Sequence, residues 1–195
     1  MYDIQNNNIF VKLFDGKTLD GWKMAGKGNF LIIENEKALL TQGGKGLLWY
    51  YKKKFKDFIL TLEWKVSNRS DNSGVFVRFP NPCTDPNIAI EYGYEIQIDD
   101  IGSPDGNPIH RTGAIYNYKC PSPKTKSLSK QLAVERWNIF EIIVIQQSYS
   151  VTLNKEKVVT NFIGNRSLEG FIGLQNHDDR SKVYFRNIMI KELKI

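Results

Sequence analysis

Histidine and cysteine are scarce in this 195-residue chain, two of each, and their scarcity narrows its chemistry. Cys83 and Cys120 lie in the proline-rich stretches Pro80-Asn81-Pro82-Cys83 and Cys120-Pro121-Ser122-Pro123. Neither spacing resembles a zinc site, and one pair is too few for a disulfide framework, although it leaves room for a single bridge between two loops. The redox compartment stays open. No run approaches the roughly 20 apolar residues of a membrane span. Met1 to Asn8 is polar and holds no apolar signal core; Met1 is either the natural start or stands where a leader was removed. Localisation is therefore unknown: periplasmic or secreted if a leader was removed, otherwise cytoplasmic. The formal net charge is +6, but Lys and Arg are scattered, and the densest run, Lys52-Lys53-Lys54 with Lys56, sits beside Asp57 as a solvated strand end would. No basic stripe interleaves with stacking aromatics, so nucleic acid is not an expected partner. No stretch sustains a helical period over three turns; the nearest, Ser127 to Arg136, is short and mixed. There is no internal repeat and no linker.

What the chain has is short β-branched and aromatic runs separated by turn signals at intervals of about ten residues, the pattern of a sandwich or jelly roll. Strands are expected at Phe30–Ile33, Ala38–Leu40, Phe58–Val66, Gly74–Phe79, Tyr94–Asp99, Ala114–Tyr116, Asn138–Gln146, Ser150–Leu153, Phe171–Asn176 and Val183–Leu193. With 41% hydrophobic and 12% aromatic residues, the chain can bury one full core, so residues 1–195 are read as a single domain. Three strands carry polar groups on one face only. In Tyr94–Asp99 the alternation sends Tyr94, Ile96 and Ile98 one way and Glu95, Gln97 and Asp99 the other. Arg78 opposes Val77 and Phe79, and Gln175 shares a face with His177. If those faces line one sheet, a carboxylate, a guanidinium, amides and an imidazole converge, a set suited to a polar ligand such as a sugar. The loop from Asp99 to Arg111 and the Ser-, Lys- and Pro-rich stretch from Cys120 to Lys130 are long enough to shape such a site.

The motifs resemble a family. Leu13-Phe14-Asp15-Gly16-Lys17-Thr18-Leu19-Asp20-Gly21-Trp22 is similar to the opening signature of the 3-keto-disaccharide hydrolase family, long labelled a domain of unknown function and common in gut and soil Bacteroidetes. Asn72 to Arg78, Gly93 to Asp99, His110 to Tyr116, Trp137-Asn138, Gly170 to His177 and Phe185 to Leu193 match later blocks in order. The resemblance covers nearly the whole chain and implies a concanavalin A-like jelly roll of two stacked antiparallel sheets with a carbohydrate site on the concave face. Two positions depart from the family pattern. Asn154-Lys155-Glu156 stands where a hairpin Asn-Gly is usual, and Asp178-Asp179 follow His177 where glycine is common. The second departure adds two carboxylates beside the imidazole, to retune it or to serve as metal ligands.

The chemistry implied is cleavage of glycosides already oxidised at C3, by hydrolysis or by β-elimination and hydration. A C3 ketone acidifies the C2 proton; its removal gives an enediolate, which expels the group at C1. That needs a base, an oxyanion stabiliser and an acid. On this logic Glu95 and His177 are the acid/base candidates, Arg78 the oxyanion stabiliser, and Gln97, Asp99 and Gln175 hydroxyl anchors, with Tyr116 the stacking ring. No cofactor is required, but a divalent metal could polarise the ketone, with Glu95 and His177 as its ligands instead. The expected partner is a small carbohydrate; oligomeric state is unknown. Each residue also has a plainer reading. Glu95 and Asp99 could form a wet strand face, His177 could be an ordinary loop residue, and Arg78 could pair with Glu95 across strands. His110 reads as a rim or structural residue and not as the base. Glu63 could join the polar face or meet solvent, and Trp22, Trp49, Trp64 and Trp137 read as core. A non-catalytic, lectin-like binding module on the same sandwich is the alternative function.

Overall fold

Along Phe58–Val66, Phe58, Leu60, Leu62 and Trp64 are buried while Ile59, Thr61 and Glu63 are half-exposed. That is a strand with one face on a core and one toward water. The computed structural model describes residues 9–123 and 134–194, and this strand lies in the middle of the larger of its two antiparallel sheets. Residues 1–8 and most of the mixed stretch 127–136 fall outside the described part.

The strands are β1 (Val11–Lys12), β2 (Trp22–Gly26), β3 (Asn29–Ile33), β4 (Ala38–Gln42), β5 (Gly46–Tyr50), β6 (Phe58–Val66), β7 (Asn72–Phe79), β8 (Tyr94–Asp99), β9 (Asn138–Ile145), β10 (Ser148–Leu153), β11 (Glu156–Ile163), β12 (Phe171–Asn176) and β13 (Val183–Glu192). A short helix, α1 (Asn87–Tyr92), joins β7 to β8. The eight-stranded sheet runs β11-β10-β9-β6-β13-β4-β3 with β1 also on β13; the five-stranded sheet runs β2-β5-β12-β7-β8. The chain crosses repeatedly between the two, giving an all-β jelly-roll sandwich.

Val75, Val77, Ile96, Ile98, Ile172 and Leu174 fill the space between the sheets together with Phe58, Leu60, Leu62, Trp64, Phe140 and Phe185. By alternation, Leu47, Trp49, Phe76 and Phe171 point to the other face of the small sheet, where they cluster with Phe79 and with Ala89 of α1. β7, β8 and β12 are therefore buried along their whole length. A strand covered on both faces holds its polar side chains rigidly, and this is what the site below is built on.

Ala114–Tyr116 is not a regular strand. Its backbone runs along the edge of β8, with the Gln97 N–H donating to the Ala114 carbonyl and the Tyr116 N–H to the Glu95 carbonyl, but Ile115 forms only isolated bridges. The turn at Asn117, with φ +63°, folds the chain back before a ladder can grow. At the β10–β11 hairpin, Asn154 (φ +49°) and Lys155 (φ +72°) both adopt the left-handed conformation of a two-residue primed turn. The turn survives the loss of glycine because Asn154 is tied down on both sides of its amide, by Ile139 N–H and by Asn138. Cys83 and Cys120 are both exposed and unpaired. Among the described residues no helix is long and apolar enough to cross a membrane.

Candidate active site

The outer face of the small sheet carries a cleft of about 540 Å³. Glu95 and Gln97 reach it from β8, Gln175 from β12, His177 from just past β12, and Tyr116 from the edge segment. Lys45, Asn72, Ile90, Ser103 and Pro104 complete the wall.

Glu95 is the most perturbed group. Burial against β7 and β12 pushes its carboxyl up, opposed by a hydrogen bond from Gln175 and by the charge of Lys45, and the balance lies at about 8. Burial wins because a carboxylate loses more hydration than one amide and one distant ammonium restore. Oriented by its neighbours, the Gln97 amide nitrogen donates to Glu95 Oε1 at 3.1 Å and to the Ser73 carbonyl at 3.3 Å. At neutral pH Glu95 is mostly a neutral acid with a proton to give. Gln175 Oε1, buried beside it, has no hydrogen-bond partner among the described residues.

His177 is at the exposed rim, and its Nδ1 lies 2.9 Å from Asp178 Oδ2. Burial alone would raise the Asp178 carboxyl, but hydrogen bonds from His177 and from the backbone N–H groups of Ser181 and Arg180 outweigh it and hold it at about 2. An ionised partner on Nδ1 requires the proton there, which leaves the lone pair of neutral His177 on Nε2. This arrangement resembles the carboxylate–imidazole half of a hydrolase triad in role, with a base oriented by a fixed anion.

Arg78 does not reach the cleft. Val77 pairs with Ile172 while Phe79 pairs with Phe171, so Arg78 is the extra residue of a β-bulge, with φ +57°. The bulge keeps both Val77 and Arg78 on the inner side, and it fits because Gly170 lies against it; a Cβ there would stand 2.4 Å from the Arg78 carbonyl carbon. The guanidinium is fully buried, donates to the Lys56 and Gln146 carbonyls, and pairs with Asp57 at 3.3 Å. It ties one sheet to the other. Arg78→Met is expected to cost about 3–5 kcal/mol, because it strands a buried Asp57 carboxylate. Denaturant titration checks this, with turnover per folded molecule staying within a few-fold of the parent.

Asp99 also departs from the expected anchor role. It is fully buried and accepts from the Ile101, Gly102 and Ser103 N–H groups and from Asn72 Nδ2. It holds the loop that brings Ser103 and Pro104 to the cleft and offers nothing to a ligand itself. His110 does not line the cleft; it is held by Asp105 and Asn117 at 2.9 Å each and packed against the Tyr116 ring, a structural role. Glu63 lies on the outer face of the large sheet, bound to Arg186 and Asn187. Trp22, Trp49 and Trp64 are buried; Trp137 lies under Arg186. Lys52, Lys53 and Lys54 each face an acid, Asp20, Glu192 and Glu169.

Five cleft residues, Lys45, Asn72, Ile90, Ser103 and Pro104, are not among the expected site residues. Lys45 follows Gly43 and Gly44, and a lone lysine in a glycine turn was a signal available to be used. It brings the cation that Arg78 does not, and its Nζ rests on Asn87 Oδ1 at 2.6 Å. Asn72 sits on the first residue of β7 and carried no such signal. The donor set for a divalent cation is short: among the described residues no three of His, Cys, Asp and Glu cluster as ligands would.

The profile of the 3-keto-alpha-glucoside-1,2-lyase-like domain matches residues 10–191. The chain belongs to that family. It is similar to a 3-keto-disaccharide hydrolase of Bacteroides thetaiotaomicron, with 27% identity over 94% of this chain and 78% of the relative. A Parabacteroides distasonis crystal structure described as a candidate glycosyl hydrolase shares 26% identity, with a TM-score of 0.72 and coverage of 95% of this chain and 100% of that one. The carbohydrate-binding module CBM66 of Bacillus subtilis has the same fold, with a TM-score of 0.61 at 14% identity over 88% of this chain and 96% of that one.

Proposed function

We propose that this family member cleaves the C1–O bond of glycosides oxidised at C3, by elimination followed by hydration. The observation that carries the reading is the pairing, in one cleft, of a carboxyl kept neutral by burial (Glu95) with an imidazole oriented by an ionised carboxylate (His177 on Asp178). A neutral carboxyl and an imidazole with a free nitrogen, facing one cleft, can divide between them the acid and base duties that elimination needs. His177 Nε2 takes the C2 proton, and the C–H electron pair delocalises onto the C3 oxygen as an enediolate. Lys45, the lysine that lines the cleft, stabilises that developing anion. The electron pair then returns, the C1–O bond breaks, and Glu95 gives its proton to the departing oxygen. Water adds to the resulting C1=C2 bond, and the proton on His177 returns to Glu95 through solvent. Gln97 and Gln175 hold ring hydroxyls, and Tyr116 packs against a sugar face.

The named substrate of the Bacteroides relative supports the 3-keto class. The test is incubation with 3-keto glycosides and their unoxidised parents in heavy water. Release of the leaving group from the 3-keto forms alone, with deuterium at C2 of the product, is expected. Turnover of neither set, with sugar affinity retained, would make the domain a binding module.

A further inference from the structure

Gly74 sits in the middle of β7, where glycine is unfavourable because it brings no packing and loses more backbone freedom on folding. Two usual reasons for a strand glycine do not apply. Its φ is not in the left-handed region, and its pairing with Gln97 is in unbroken register, with no bulge. The reason lies across the sheet. Gly74 and Glu95 are diagonal neighbours on the cleft face, close enough for one to fill the other's space. A Cβ built on Gly74 would stand 2.2 Å from Glu95 Oε1, 2.7 Å from its Cγ and 2.8 Å from its Cδ. Real Cβ atoms essentially never come within 3.0 Å of a heavy atom outside their own residue and its chain neighbours. The three nearest atoms all belong to Glu95, so a methyl group here presses on that side chain before anything else.

We propose that Gly74 is a positioning residue for the reaction, its missing side chain forming the recess in which the Glu95 carboxyl lies flat between Gln97 and Gln175. The inference rests on the role given to Glu95 above. Any side chain at position 74 lifts the carboxyl out of the recess, toward the cleft and its water. The groups facing Glu95 from the other walls, Lys45, His177 and Tyr116, are left where they are.

The test compares the parent with Gly74→Ala, Glu95→Gln, the double variant Gly74→Ala/Glu95→Gln and the pair Gly74→Ala/Glu95→Asp. Kinetics on a 3-keto glycoside and thermal unfolding at pH 5 and pH 9 are measured for each. Gly74→Ala is expected to lower kcat by about 10- to 100-fold with a smaller change in KM, the scale of a mispositioned acid. In the Glu95→Gln background the same substitution should change kcat by less than about 2-fold, since the group it acts through is gone. Parental kcat in Gly74→Ala, or losses that multiply in the double variant, would overturn the proposal. Unfolding judges it without any substrate. The alkaline loss of stability caused by burying Glu95 should shrink in Gly74→Ala, and a parental pH dependence would again overturn it. A parent inactive on every 3-keto glycoside would thus fail the functional reading and leave this one to the unfolding data. If Gly74→Ala does not fold, the Glu95→Asp partner, one methylene shorter, is expected to restore folding; failure there too would show that the methyl clashes with something other than Glu95.

Discussion

Glu95→Gln is expected to lower turnover of a 3-keto glycoside by about 100-fold or more while making the fold more stable above neutral pH. The two effects have one origin. Glu95 is held in its neutral form by burial, with its carboxyl at about 8 against an ordinary 4.5. Between those values the folded chain binds a proton that the unfolded chain does not. Stability is therefore fully present below about pH 4.5 and is lost progressively as pH rises through 8. Glutamine keeps the shape and the hydrogen-bonding edge but cannot ionise, so the gain at pH 9 should be roughly 2–4 kcal/mol, with little change at pH 5. Denaturant unfolding at the two pH values, beside steady-state kinetics, checks both halves. A variant that loses activity but gains nothing at pH 9 would mean that the Glu95 carboxylate is compensated in place, and the acid role would go with the burial argument. Stability given up at a working residue is the usual trade at an active site.

Most of the fold could be read from alternation because most strands obey it strictly. Phe58–Val66, Tyr94–Asp99 and Phe171–Asn176 begin and end where their patterns do. Trp22–Gly26, Gly46–Tyr50 and Glu156–Ile163 were passed over for a physical reason. The first two carry terminal glycines and lie side by side at the edge of the small sheet, and the third is a half-exposed edge strand with little apolar contrast. Their strand character comes from pairing with neighbours that a linear reading cannot see.

The site was legible to the same depth. Glu95, Gln97, Gln175 and His177 come to one cleft because β8 and β12 are regular and keep the period of two as far as the site. Arg78 misled because one extra residue in β7 reverses the face of everything beyond it, and nothing in Gly74-Val75-Phe76-Val77-Arg78-Phe79 announces a bulge. Asp99 misled differently: its face was right, but the loop it caps closes over it. Lys45 was invisible to a strand-based search since it stands in a turn. What alternation delivers is direction; what covers a face must come from the fold.

His177→Ala is expected to lower turnover by about 100-fold or more, and Asp178→Asn by a comparable factor, because an amide Nδ2 facing Nδ1 favours the tautomer that carries its proton on Nε2, where the base must be free. The size of the second loss is itself informative. A merely structural His177–Asp178 contact at the exposed rim would make both substitutions nearly silent, since an exposed ion pair contributes little to stability. The pH profile then separates acid from base. With Glu95 as the acid, kcat/KM should fall as pH rises through about 8, where the free enzyme loses the proton to be delivered. Glu95→Gln should remove that limb along with most of the rate. A profile that instead rises to a plateau near pH 8 would exchange the roles, making Glu95 the base that takes the C2 proton. Heavy-water exchange at C2 gives the independent reading. If His177 is the base, His177→Ala should lose deuterium incorporation into recovered substrate together with turnover, whereas Glu95→Gln should retain exchange while failing to release the leaving group. Retained exchange in His177→Ala and lost exchange in Glu95→Gln would assign proton abstraction to the buried carboxylate, with His177 and Asp178 left to assist departure of the group at C1.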